Sequence, residues 1–133
     1  MKIEKLPPKA SNFYYRWINH VTESVLGRTV KGSTIFAAFA DVDFEERISG
    51  WGCIKCQRGN WYLGLTYVTE EHRGKGIQRA LIDHRLEYLE NLGVDVARVG
   101  VKPDNKYSIA NIKKMGFELE KSKKDYDVYK LLF

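Results

Sequence analysis

Arg73-Gly74-Lys75-Gly76-Ile77-Gln78 carry the clearest chemical signal in the chain. They follow the strand-like run ending in Tyr67-Val68 and precede the amphipathic stretch Arg79-Ala80-Leu81-Ile82, so they read as a strand-to-helix turn. Backbone N–H groups at a helix N-terminus have no intrahelical partner, and together with the macrodipole they favour a phosphate. Gly74 and Gly76 remove side chains where a ligand's oxygens must approach the main chain, while Arg73 and Lys75 add positive charge. The chemistry expected here is capture of a phosphate or pyrophosphate. A P-loop is excluded, because no Ser or Thr follows Lys75 or Lys31 in the required frame. A dinucleotide fingerprint is excluded as well, because Arg79 stands where its third glycine belongs. A plain basic surface turn is the alternative.

The elements that must hold this turn can be traced along the chain. Ile3 to Leu6 reads as a strand closed by Pro7-Pro8. Ser11 to Leu26 reads as a helix with Tyr14, Trp17, Ile18, Val21 and Val25 on one side and Gly27 at its stop. Phe13 and Tyr15 fall off that stripe, either lining a pocket or simply exposed. Ser33 to Ala40, Ile48 to Gln57 and Trp61 to Thr69 read as an antiparallel meander, turned at Asp43-Phe44-Glu45-Glu46 and at Arg58-Gly59-Asn60. A helix from Lys75 to about Asn91 presents Ile77, Ala80, Leu81, Tyr88 and Leu92 as a stripe widened by Ile82 and Leu89, with His84 inside it as a core or edge imidazole. Val94 to Val101 returns as a strand parallel to the Trp61 strand. Strand, helix, strand places any ligand at the C-terminal ends of the pair.

Downstream, Asn105 to Phe117 reads as a helix opened by Asn105 and closed by Gly116, with Asn105, Ser108 and Ile112 sharing a face. Gly116 to Glu120 and Tyr126 to Leu132 form a closing hairpin around 121–125.

With 133 residues, 44% hydrophobic and 29% charged, the chain is expected to fold as one domain, 1–133. Its 22 basic and 17 acidic residues leave a net charge of +5, which suits anionic partners. The N-terminus Met1 to Lys5 lacks an apolar signal region, and the longest apolar run, Ile35 to Ala40, is far too short for a membrane span. A cytoplasmic protein without membrane association is expected. Cys53 and Cys56 form one C-x-x-C, yet there is no second pair, and residues three apart on a strand face opposite ways. No metal site is expected.

The turn Arg73 to Gln78 and the segment Asn105 to Phe117, in that order and separated by one helix and one strand, resemble the two signatures of the GNAT superfamily of acetyl-CoA-dependent N-acetyltransferases. The resemblance covers nearly the whole chain, from Ile3 to the end. It implies an α+β fold, with a mixed, mostly antiparallel sheet flanked by helices and a splayed parallel strand pair at the cofactor. It implies acetyl-CoA as co-substrate and direct attack by an amine in a ternary complex, with no covalent enzyme intermediate. Tyr67 and Val68 are expected to hold the pantetheine and polarise the thioester carbonyl. Arg73, Gly74, Lys75, Gly76, Ile77 and Gln78 are expected to take the pyrophosphate, and Asn105 with Ser108 to touch the coenzyme.

The sequence departs from the family pattern twice. Gln78 replaces a Gly or Ala, and its side chain either hydrogen-bonds the phosphates or obstructs them. Ile112 replaces the tyrosine that protonates the leaving thiolate in many members. Tyr107 lies five residues along the helix and points elsewhere; Tyr126 and Tyr129 are the other candidates. A thiol with pKa ~8.5 needs only about 1.4 kcal/mol of help at a pH of about 7.5, whereas an amine of pKa ~10.4 costs about 4 kcal/mol to neutralise. The base is therefore the greater need. Glu70 and Glu71, or Asp41, Asp43, Glu45 and Glu46 through water, are candidates.

Two other classes stand beside an enzyme: an acyl-CoA-binding module of the same fold, and a basic nucleic-acid-binding domain using Lys113, Lys114, Lys121, Lys123 and Lys124. The amine, whether a small molecule or a protein, is not legible in the sequence. Nor is the oligomeric state, with a homodimer among the options.

Overall fold

The computed structural model describes residues 1–7, 13–42 and 45–133. In chain order the elements are β1 (Lys2–Lys5), α1 (Phe13–Val21) with a π turn Thr22–Leu26, β2 (Thr34–Val42), β3 (Glu45–Gln57), β4 (Asn60–Val68), a 3-10 turn Glu70–His72, α2 (Ile77–Asn91), β5 (Val96–Val101), α3 (Lys106–Lys114), β6 (Glu118–Ser122) and β7 (Asp127–Leu132). The strands form one sheet in the order β1-β2-β3-β4-β5-β7-β6. Every neighbouring pair is antiparallel except β4 and β5.

Both faces of the sheet are covered, which explains why β2 is an unbroken apolar run. Phe36 and Ala38 pack with Leu81 and Leu89 of α2, while Ile35, Ala37 and Phe39 pack with Ile18 of α1. Burial of such side chains is worth roughly 1.5–3 kcal/mol each, so the two layers clamp the sheet between helices.

The feature that shapes the site is an irregularity in β4. Gly52 pairs with Thr66 but Ile54 pairs with Leu63, so Gly64 and Leu65 together oppose Cys53. This bulge flips the strand's phase: Leu63 faces α2, Leu65 and Tyr67 join the α1 side, and Val68 returns to the α2 side. A bulged strand bends and twists more strongly. The parallel pairing accordingly stops at the bulge, being confined to Trp61↔Ala97, Tyr62↔Arg98 and Leu63↔Val99. Beyond Leu63 the two strands splay.

The long first helix is interrupted. After Val21 the chain widens into the π turn, which offsets the helical phase. Val25, expected on the buried stripe, is consequently 60% exposed, and Thr22 is buried in its stead. Thr22 Oγ1 donates to the Ile18 carbonyl (2.7 Å) and accepts from Trp51 Nε1–H (3.2 Å), so a polar bridge fixes the break. Trp17 stacks edge-on against Trp51, with ring centroids 5.7 Å apart. Phe13 is exposed, whereas Tyr15 packs on the α1-side core. Pro8 and Ser11 lie outside the described residues.

Other boundaries shift for local reasons. Val42 pairs with Glu45 and Asp41 with Glu46, so Glu45 and Glu46 extend β3; Asp43 and Phe44 lie outside the described residues. Arg58 and Gly59, with φ +51° and +79°, make the two-residue turn between Gln57 and Asn60. Helix α2 begins at Ile77, because Lys75 precedes a left-handed Gly76. Leu92 ends up exposed past its C-terminus, and the buried stripe instead includes Arg85 and Leu86. His84 sits half-buried at the edge of that stripe, its ring 5.5 Å from that of Phe36. Bonds from Gly116 and Phe117 N–H to the Lys113 and Ile112 carbonyls, both 3.0 Å, close α3. Lys121 and Ser122 pair with Val128 and Asp127, so the last turn is shorter than the sequence suggested.

Candidate functional site

The turn into α2 is built to leave amides free. Its first helical bond runs from Ala80 N–H to the Gly76 carbonyl (3.0 Å), so the N–H groups of Ile77, Gln78 and Arg79 have no intrahelical acceptor. Gly76 at the N-cap has no side chain to satisfy them. Gly74 and Gly76 have φ +78° and +79°, a conformation that penalises any Cβ, and the space beside both is empty of protein within 4 Å. Glycine is needed there for the backbone path, and the space beside both is open.

The rest of the turn is braced against the sheet. Thr69 donates to the Ser49 carbonyl from both N–H (2.9 Å) and Oγ1–H (3.1 Å). The same hydroxyl lies 2.8 Å from His72 Nδ1, a hydrogen bond that orients the imidazole beside the turn. Arg73 donates from Nε to the Val68 carbonyl (3.0 Å) and lies over the Tyr67 ring (5.7 Å to the centroid). The cation is therefore held near the amides instead of waving in solvent.

Two clefts run from this turn into the fork between β4 and β5, of about 480 Å³ and about 330 Å³, and they share Thr66, Gln78, Ile82 and Asn111. They make one bent slot. Tyr67, Val68, Arg73, Gly74, Gly76, Ile77 and Gln78 line its outer part; Asn105, Ser108 and Ile112 line its inner part. Lys75 lines neither. The face shared by Asn105, Ser108 and Ile112 thus points into the slot, and Asn105 also caps α3 by accepting from Ser108 N–H (3.2 Å). The charged residues on the walls are Arg73, Arg79, Arg28, Arg85 and Lys102, with His72 beside them; no Asp or Glu among the described residues lines the slot. Such walls attract an anion.

Arg85 was not legible as a site residue. It is fully buried on α2, and donates from Nε to the Leu81 carbonyl (3.1 Å), from Nη1 to the carbonyls of Cys53 (2.8 Å) and Gly64 (3.3 Å), and from Nη2 to the Thr66 hydroxyl. Gly52 makes room for it: a Cβ there would lie 2.6 Å from the guanidinium carbon. Burial pushes its pKa down to about 10, which still leaves it charged at neutral pH. Cys53, buried on the opposite face, is pushed up to about 11 by burial, so its thiol stays neutral. Cys56 is exposed. The signal that could have found Arg85 is a cation four residues after Leu81, inside an apolar stripe.

The sequence-derived acid and base candidates are scattered. Glu70 and Glu71 are exposed and outside the slot. Asp41 is exposed, and Glu46 pairs with Lys2 at 2.9 Å. Tyr126 packs where Gly100 leaves space, and Tyr129 is buried in the α2-side core; neither reaches the slot walls.

The chain matches the model of the Acetyltransferase (GNAT) family over residues 7–117 and belongs to that family. It is an acetyltransferase of the acetyl-CoA-dependent class. No curated protein matches the sequence. Its fold resembles that of IAA acetyltransferase from Bacillus cereus (TM-score 0.75, 17% identity, 99% of each chain covered). It also resembles the ribosomal-protein-S18-alanine N-acetyltransferase from Escherichia coli (0.71, 15%, 97% of this chain and 90% of that one). A third likeness is PaiA N-acetyltransferase from Thermoplasma acidophilum, solved in complex with coenzyme A (0.71, 18%, 99% and 98%). The seven-stranded sheet with its single parallel pair is the GNAT fold expected from the sequence.

Proposed function

We propose that residues 1–133 act as one N-acetyltransferase domain that transfers the acetyl group of acetyl-CoA to a primary amine by direct attack in a ternary complex. The observation that carries this reading is the slot itself, with three uncapped amides at its mouth, cations along its walls and the unpaired edge of β4 inside it. Ile77, Gln78 and Arg79 N–H with Arg73 take the pyrophosphate, and Lys75 adds long-range attraction. Beyond Leu63 the edge of β4 toward β5 offers backbone groups to the pantetheine amides, with Tyr67 and Val68 nearest the mouth. Asn105 and Ser108 approach from α3. Bound acetyl-CoA supplies an activated thioester, and the chain's part is to fix it, exclude bulk water and polarise its carbonyl with backbone N–H groups. Among the described residues no side chain lining the slot is a carboxylate, so the amine proton leaves through water.

The unpaired cysteines fit a reducing compartment, and we place the protein in the cytoplasm. The test is thermal denaturation with acetyl-CoA followed by thiol release over a panel of amines. At a hundredfold over its dissociation constant, acetyl-CoA adds ~2.7 kcal/mol, or about 10 °C for a chain of this size. No shift refutes the reading. A second reading, a coenzyme-binding module without turnover, is favoured by the carboxylate-free walls and by Ile112. A shift with no thiol release from any amine selects it. The lysines at 113, 114, 121, 123 and 124 are exposed at the end of α3 and on the β6–β7 hairpin; salt-sensitive DNA binding without a coenzyme shift would select a nucleic-acid role.

A further inference from the structure

A fully buried guanidinium with no carboxylate partner is costly, since the desolvation of a charge amounts to several kcal/mol. Arg85 forms no ion pair among the described residues, and its acceptors are three carbonyls and one hydroxyl. A guanidinium has five N–H groups. Four are used, and the fifth, on Nη2, is uncommitted. Thr66 accepts from that same Nη2, so its own O–H is also free, and Thr66 lies where the two parts of the slot meet. Around it stand Arg28 and Lys102 on the inner walls, Arg73, Arg79 and His72 toward the mouth, the neutral Cys53 behind β3, and the apolar Ile112 opposite. Tyr67 and Tyr107 are the phenols facing the outer part. Arg79 is paired with Asp83 at 3.3 Å, whereas Arg28, Arg73, Arg85 and Lys102 form no ion pair among the described residues. Free donors and this unneutralised positive charge describe a place prepared for an anion that appears during the reaction.

Resting on the acetyl-CoA reading above, we propose that the Thr66 hydroxyl, oriented and polarised by Arg85, hydrogen-bonds the departing coenzyme A sulfur and holds it as a thiolate. The amine nitrogen forms its bond to the thioester carbonyl carbon, the C–S bond breaks, and its electron pair stays on sulfur. The surplus ammonium proton goes to water, and no protein group gives up a proton. Thr66 touches the reacting sulfur and is a catalytic residue; Arg85 acts through it and is a positioning residue. The pair does the work of the acid that Ile112 cannot supply.

The experiment compares binding of coenzyme A and desulfo-coenzyme A, which lacks the thiol, by calorimetry between about pH 6 and about pH 9. A stabilised thiolate lowers the thiol pKa in the complex, so affinity rises with pH above the bound pKa and levels off above the free one. A fall from ~8.5 to ~7.5 tightens coenzyme A about eightfold relative to desulfo-coenzyme A over that range. Desulfo-coenzyme A serves as control for any protein group that titrates in that range. Thr66→Ser keeps the hydroxyl and should keep the effect. Thr66→Val, of similar volume, should abolish the pH-dependent preference, read as the ratio of coenzyme A to desulfo-coenzyme A affinity within the same variant, and Arg85→Lys should diminish it. Tight binding of both ligands with no pH-dependent preference in wild type, or the same preference in Thr66→Val, overturns the proposal and leaves the coenzyme site standing. Failure of desulfo-coenzyme A to bind wild type overturns the coenzyme site and the proposal with it.

Discussion

Replacing Gly52 with Ala tests how rigidly the cation under the fork is held. The new Cβ would sit 2.6 Å from Cζ, 2.9 Å from Nε and 3.0 Å from Nη1 of Arg85. Ordinary contact begins near 3.4 Å, so the guanidinium must retreat by about 0.8 Å while its nitrogens stay tied to Leu81, Cys53, Gly64 and Thr66. It has no solvent to retreat into, being fully buried. A hydrogen bond from a charged group is worth about 1.5–3 kcal/mol, and one or two are stretched beyond use, so about 2–4 kcal/mol of stability should be lost. With an unfolding entropy of ~2.1 cal/mol/K per residue, the midpoint falls by about 7–14 °C. Urea unfolding monitored by tryptophan fluorescence and by circular dichroism measures it. The double variant Gly52→Ala/Arg85→Met should lose less than the sum of the singles, because the second change removes what the first collides with. Gly64→Ala, whose Cβ would lie 3.1 Å from that of Cys53, should cost less. A Gly52→Ala protein within ~0.5 kcal/mol of wild type, or strict additivity in the double variant, refutes a fixed guanidinium.

Arg73→Glu should weaken acetyl-CoA about tenfold or more while leaving the melting midpoint of the unliganded protein within a degree or two, as read by calorimetry and thermal melts; unchanged affinity removes Arg73 from the anion site. Thr22→Val should cost about 1–3 kcal/mol, because the buried Trp51 Nε1–H loses its acceptor, and equal stability in urea would show that the bridge across the π turn is dispensable. Arg58→Asn should add about 0.5–1 kcal/mol by suiting the left-handed position in the β3–β4 turn, with no change in coenzyme affinity. The Arg98 guanidinium, bonded to Glu120 at 2.9 and 3.1 Å, holds that carboxyl below its usual range. Its stabilisation is therefore full above the unfolded carboxylate pKa and is lost as the pH falls through the depressed folded value. Wild type should exceed Glu120→Gln by under ~1 kcal/mol near neutrality, and the gap should close in acid; a gap that persists at acid pH contradicts the ion pair as its source.

The parts of the molecule that could be read in advance obey local rules. The glycines of the α2 turn, the apolar periods of β2 and α2 and the Asn105 cap each depend on a few neighbouring residues, so the strand-to-helix turn with its free amides and the order of elements were legible. What escaped depends on partners distant in sequence. The π turn keeps the composition of a continuing helix, and only the Thr22 to Trp51 bridge shows why the phase breaks there. The bulge at Gly64-Leu65 becomes visible only against β3, yet it opens the fork. Arg85 looks like a solvated cation until Gly52, Cys53, Gly64 and Thr66 are assembled around it. For the acid and base candidates, position along the chain does not determine whether Glu70, Tyr126 or Tyr129 lines the slot, and none of them does.

The central claim is that the amides opening α2 and the free edge of β4 beyond Leu63 together receive coenzyme A. Titrating the isotope-labelled protein with coenzyme A and following backbone amide resonances tests it residue by residue. The account predicts that the largest shifts fall on Gly74 to Arg79 and on Gly64 to Val68, with smaller ones at Asn105 and Ser108. Saturable binding that leaves those two stretches unmoved while resonances elsewhere shift would contradict it.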